Sequence, residues 1–178
     1  MTASSSTSDS LAQPTLYRDA VLALTGDLEP LVILQGLLPA LHEGLAAVPP
    51  ARQGTPEAPG KWSARQVVQH LADTELAFGW RVRQILTADK PVLQGFDENA
   101  WMTRLRSGDD DLDGALAQLA ALRHDLLRLL KTCTAADLAR TGVHSERGEE
   151  PLSLLVRLIA GHDLVHRRQL DRIAAAIA

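Results

Sequence analysis

The chain has 178 residues, 46% of them apolar but only 3% aromatic, with a formal net charge of −4 at pH 7 and a single cysteine. That length suits one domain with a substantial core, and an apolar fraction drawn mainly from Ala and Leu, with β-branched residues sparse, favours an all-α fold. One thiol excludes an intrachain disulfide framework or a Cys-based zinc site, and interspersed charges without a basic, aromatic-studded run speak against a nucleic-acid partner.

Residues 1–13 are rich in Ser and Thr and are expected to form a disordered tail ahead of a domain at 14–178. Met1 to Ser10 lack the basic start and apolar core of a signal peptide, and no apolar run reaches transmembrane length, which predicts a soluble cytoplasmic protein without a membrane partner. From about Thr15 the pattern is helical: Leu16, Ala20 and Ala23 or Leu24 form a short amphipathic piece that stops near Thr25-Gly26. Leu28 to Gln35 reads as a second short helix. Pro39 fits a first turn better than a helix interior, so a new helix is expected from about Leu38 to Val48, with Leu41, Leu45 and Val48 inward and His42 off the stripe. Pro49 to Gly60 holds four prolines and two glycines and reads as a loop.

Ser63 and Gln66 then stand at capping-box spacing, with Trp62 and Val67 at the two hydrophobic-staple positions. A helix therefore starts at Ser63 and runs to about Ala88, with Val67, Leu71, Thr74, Phe78, Val82 and Ile85 as its core stripe. His70 lies at the edge of that stripe, flanked by Gln66, Asp73, Ala77 and Arg81, while Glu75 points well away from it and suits a salt bridge or solvation. Asp89 to Asp111 is a long connection carrying Phe96 and Trp101, of a kind more often functional than idle. One of Asp109 to Asp111 caps the next helix, whose core positions are Leu112, Leu116, Leu119, Leu126 and Leu130. His124 points away from these, and Cys133 at the helix end reads as structural. Ala135 to Leu138 forms one further turn, Thr141 to Glu150 is a polar connection holding His144, and Pro151 opens the last helix. Four principal helices, each with one apolar face, predict a four-helix bundle with short additional N-terminal helices.

In the last helix Leu155, Ile159, Leu170, Ile173 and Ile177 share one stripe at about 100° per residue, and His162 and His166 lie in its middle. Burying one neutral imidazole needs only a hydrogen-bond partner. Burying two on adjacent turns is harder, and a shared divalent ion satisfies both. Two conventionally hydrogen-bonded core histidines are the competing account. The spacing is that of the His-Glu-x-x-His helix of zinc proteases, but Asp163 is a methylene shorter than their glutamate, and no Glu-x-x-His motif supports a di-iron bundle. A further ligand must come from upstream. His42 and His124 face outward, His144 is a minor candidate in a loop, and His70, beside the core among polar neighbours, is the natural third.

Lys61-Trp62-Ser63, His70 to Glu75 with Arg81, Phe96-Asp97 through Trp101, and Gly161 to Leu170 together resemble the DinB/YfiT-like family, over roughly residues 16–177 and in the family's order. The resemblance implies a four-helix bundle that holds a divalent metal, often zinc or nickel, through one histidine of the second bundle helix and two of the last; the motif carries over to His70, His162 and His166. It also implies a homodimer, as in many members. For activity it implies either a transferase or isomerase using a low-molecular-weight thiol cosubstrate, or a metal-dependent hydrolase.

Three neutral imidazoles leave a tetrahedral zinc one open position, where the pKa of bound water can fall to about 7 and a thiol can be activated further. Ligating histidines usually donate their second N–H to a carboxylate or carbonyl; Asp73 and Asp163 are the carboxylates placed for this, with solvated helix surface as their plainer role. Gln169 shares the face of His162 and His166 and could hydrogen-bond bound water, or be an ordinary core-edge glutamine. Arg81 could bind an anionic group of a small-molecule substrate, against an ion pair with Glu75 or Asp73. Phe96 and Trp101 could wall the site mouth or pack across the bundle end. Three functions follow: thiol-dependent S-transfer, hydrolysis, or a non-catalytic metal-binding protein (stress-related or a dimeric scaffold), the last predicting a fourth protein ligand such as His144 or Asp73.

Overall fold

Four long helices carry the fold, and the chemistry of their ends explains where each begins. The computed structural model describes residues 14–106, 108 and 111–177; the tail expected over 1–13 lies outside them. The helices are α1 (Pro14–Thr25), α2 (Pro30–Ala46), α3 (Ala64–Thr87), α4 (Glu98–Leu105), α5 (Leu112–Leu130), α6 (Ala135–Ala139) and α7 (Leu152–Ile177). α7 packs against α2 and α3, α3 against α5, and α5 against α2, which closes the four-helix bundle; α1 lies along α7. None of the described helices is by itself long and apolar enough to cross a membrane.

The start of α3 is the expected one. The Ser63 hydroxyl accepts from the Gln66 amide, and the Gln66 side chain accepts from the Ser63 amide, so two otherwise orphaned donors are satisfied reciprocally. Asp97 and Asp111 cap α4 and α5 by accepting from the amides of Ala100 and Gly114, and Thr134 caps α6 in a second reciprocal box with Asp137.

Pro39 lies inside α2, which runs unbroken where two helices were expected. A proline removes one helical hydrogen bond and crowds the carbonyl four residues back, here that of Gln35. Both residues are exposed, so water can serve the freed carbonyl. Burial of Ile33, Leu34, Leu37, Leu41 and Leu45 keeps the two halves in line.

Two segments expected to lack structure have some. The Asp89–Asp111 connection holds β1 (Val92–Leu93) and α4, and Thr141–Glu150 is a hairpin of β2 (Thr141–His144) and β3 (Gly148–Pro151). β1 pairs parallel with β2, and β2 antiparallel with β3. The hairpin turns through Gly148 at φ +80°, a conformation that favours glycine. The sheet covers the bundle end where α3 finishes and α7 begins: Leu93 packs with Ile85 and Leu152, and Arg140 donates to the Ile85 carbonyl.

The apolar core falls into two clusters. One gathers Leu41, Leu45, Val67, Leu71, Leu119 and Leu170; the other gathers Leu34, Val82, Ile85, Leu126, Leu155 and Ile159. Along α3, α5 and α7 the residues between the two clusters are polar and buried: Thr74, Glu75, Arg123, His162, Asp163 and His166. A polar layer thus crosses the middle of the bundle.

Candidate metal centre

The polar layer is organised around three imidazoles. His70 projects from α3, and His162 and His166 from successive turns of α7; all three are buried, with no more than 8% exposure. The Nε2 atom of His162 lies 3.0 Å from that of His70 and 3.1 Å from that of His166. Burial holds all three neutral. His70 and His162 are pushed well below the usual imidazole range, first by desolvation and then by neighbouring imidazoles, and His166 falls to about 4, chiefly by desolvation.

The donor chemistry fits a metal ion. His166 donates its Nδ1–H to the Gln169 side-chain oxygen at 2.8 Å, so its Nε2 presents a lone pair to the other two rings. A single proton on His162 cannot make good hydrogen bonds to both neighbours, whereas a cation among the three serves every lone pair. The observed Nε2 separations approach the roughly 3.3 Å expected between ligands of a tetrahedral ion with Zn–N bonds of about 2.0–2.1 Å. Among the described residues, this is the group whose ligand atoms converge for a metal.

Two neighbours complete the surroundings. The Trp62 ring lies 4.7 Å from that of His70 and is stacked 6.4 Å from that of His166, so the staple residue before α3 also caps the imidazoles. Glu98, in the first turn of α4, puts a carboxylate oxygen 3.8 Å from His70 Nε2. Burial, then Asp97, pushes its pKa up. Glu98 stands in a connection whose sequence does not reveal which of its residues return to the bundle, so its place beside His70 becomes visible only in the fold.

The proposed supporting carboxylates bind arginines, which corrects their expected contact with the histidines. Asp73 takes Arg106 in a two-pronged pair at 3.1 and 2.6 Å. Asp163 is fully buried and shares Arg123 with Glu75 through contacts of 2.7–3.1 Å, while Arg123 also donates to the Leu34 carbonyl. Neither aspartate is solvated surface, because an arginine from another element reaches each. Burial pushes Asp163 up to about 6 against the pull of Arg123. Gln169 is engaged by His166, as described above.

Arg81 pairs with neither Glu75 nor Asp73. It lies buried between the Phe78 and Phe96 rings, 5.4 and 5.8 Å from their centroids, and donates to the Gln94 carbonyl at 2.5 Å. Phe96 stacks on Trp101 at 4.7 Å. His144 ends β2, buried, its Nδ1 accepting from the Glu146 amide; neither it nor Asp73 joins the imidazole cluster as a fourth donor. His42 and His124 are exposed.

Comparison with known proteins agrees with this geometry. A family model described as the DinB superfamily matches residues 34–170. A Bacillus subtilis protein named "Putative metal-dependent hydrolase YfiT" is 31% identical over 145 residues, covering 79% of this chain and 81% of its own. A Geobacillus thermodenitrificans protein named "Putative metal-dependent hydrolase" is 30% identical over 133 residues, 74% of each chain. The solved structure of YfiT from Bacillus subtilis, described as having an unusual four-helix bundle topology, superposes with a TM-score of 0.74 at 24% identity, over 98% of this chain and 92% of that one.

Proposed function

The chain belongs to the DinB superfamily, and from that premise we propose that it is a metal-dependent enzyme in which His70, His162 and His166 hold one divalent transition ion, zinc or nickel, and that it is a hydrolase of a small-molecule substrate. The observation that carries this reading is the convergence of three neutral Nε2 atoms within 4.8 Å of one another. The names of the relatives support the reaction class.

When bound, such an ion supplies Lewis acidity at a position the protein leaves open, easing deprotonation of a small nucleophile near neutral pH. The chain's own residues do the rest. Gln169 fixes the tautomer of His166 so that its lone pair faces inward. Trp62 covers one side of the imidazoles and keeps bulk water from them. Glu98 is the carboxylate within reach of a nucleophile beside His70, able to take its proton or fix its orientation. Cys133 sits at the far end of α5 among the second apolar cluster, so a thiol reaction would need an exogenous thiol.

Elemental analysis of the untagged protein beside His162→Ala tests the reading. The expected result is near one equivalent of transition metal in the parent and loss of it in the variant. Ester hydrolysis by the loaded protein without added thiol then supports the hydrolase; turnover that appears only with a low-molecular-weight thiol would reassign it to S-transfer. A parent that takes up neither zinc nor nickel overturns the centre itself.

A further inference from the structure

A cavity of about 370 Å³ lies between the outer face of α3 and the segment from β1 to α4. Its walls are Leu76, Ala77, Trp80, Phe96 and Trp101, with Arg81 among them. We propose that this cavity binds a small organic carboxylate carried on an apolar or aromatic body, with Arg81 taking the carboxylate.

The argument rests on Arg81. It is 5% exposed, and a buried guanidinium normally has a carboxylate partner. Among the described residues none lies within ion-pair distance of it. Glu75 is taken by Arg123, Asp73 by Arg106, and Glu150 by Arg147 at 2.6 and 2.9 Å, while Glu146 acts on Arg81 through space without reaching ion-pair contact. Of the five N–H donors of a guanidinium, the Gln94 carbonyl takes one. The rings of Phe78 and Phe96 hold the plane in place. Desolvation first, then Arg147, lowers its pKa to about 10, so it remains a cation at neutral pH.

The rest of the cavity selects the body of the ligand. Its surface is largely apolar, and Leu76, Trp80 and Val92 stand exposed at its lip. A few placed polar groups in an apolar hollow of this size is the usual make-up of a small-molecule site. One planar cation suits a carboxylate bound side-on, and a phosphate dianion would call for a second cation, whereas Arg81 is the one charged side chain among the described residues of the lining. The cavity and the centre are connected through α4, which presents Glu98 to His70 and Trp101 to the cavity. The assignment of this ligand as the substrate rests on the reaction proposed above; its binding does not.

Calorimetric titration of the full chain as purified, with 2-naphthoate and its uncharged isostere 2-naphthamide, tests the proposal. The carboxylate should bind at least tenfold more tightly, and Arg81→Met should abolish that preference. Should Arg81→Met fail to fold, the comparison in the parent protein still decides, together with Trp101→Ala, which should weaken both ligands alike. Equal binding of the two, no binding of either up to millimolar concentration, or inorganic phosphate competing as well as naphthoate would overturn it. So would dissociation of a dimer by Trp80→Asp without any carboxylate preference in the parent, which would give the apolar lip to a second copy of the chain. The same titration on His162→Ala separates the two readings: a preference kept there, beside a parent that takes up no metal, sinks the centre and leaves the pocket standing.

Discussion

Glu98 stands 3.8 Å from the nitrogen by which His70 faces the other imidazoles, and its effect is separable from theirs. Glu98→Gln should keep its metal while turnover falls about 10²-fold or more; metal analysis and kinetics on one preparation check this, and loss of the ion would make Glu98 a ligand instead. Arg123 poses a different problem, since it is the ion-pair partner of two buried carboxylates at once. Arg123→Met strands Glu75 and Asp163, and should cost about 3–5 kcal/mol in denaturant unfolding. The histidines were legible because two of them interrupt an apolar stripe and the third borders one. Arg123 was legible in principle: it sits between Leu119 and Leu126 at helical spacing, on the buried stripe. A charge there looks like a gap in the pattern until its partners on two other helices are known. The contacts of Asp73 and Asp163 could not be read from their own helices, because the arginines that claim them come from elsewhere in the chain.

At the scale of elements, what the sequence conveyed depended on how local the cause was. Capping boxes and staples act within five residues, and the start of α3 could be read outright. Pro39 misled because its penalty is local while its remedy, the packing of α2 against α7 and α5, is tertiary. Pro39→Ala should restore the hydrogen bond to Gln35 without disturbing a buried contact, stabilising the protein by on the order of 2 kcal/mol in urea unfolding. The strands escaped notice since they span two to four residues, too short for an alternating pattern to stand out. They form because β1 and the hairpin meet across the bundle end, not because either segment favours extended backbone by itself. Gly161, within the histidine motif, has a cause of the same tertiary kind: a Cβ there would lie 2.5 Å from the Val21 carbonyl of α1.

In the whole molecule, four buried histidines resist protonation. His144 and His166 fall to about 4, and His70 and His162 lie well below the usual value. Above about pH 7.5 each is neutral whether the chain is folded or not, and stability is unaffected. As pH falls from there toward 4, the unfolded chain takes up protons that the native state refuses, so stability is lost. Urea midpoints should therefore drop between pH 7.5 and 5, and His144→Gln should make the drop smaller. The polar layer has one more consequence, which concerns assembly. His70 and His162 are 92 positions apart, and β1, α4 and the hairpin all lie in the stretch that separates them. An ion held between them is a cross-link across that loop, and a peptide cut from either helix would offer at most two of the three nitrogens. Affinity for the ion is thus a property of the finished fold, and anything that loosens α3 from α7 lets the ion go.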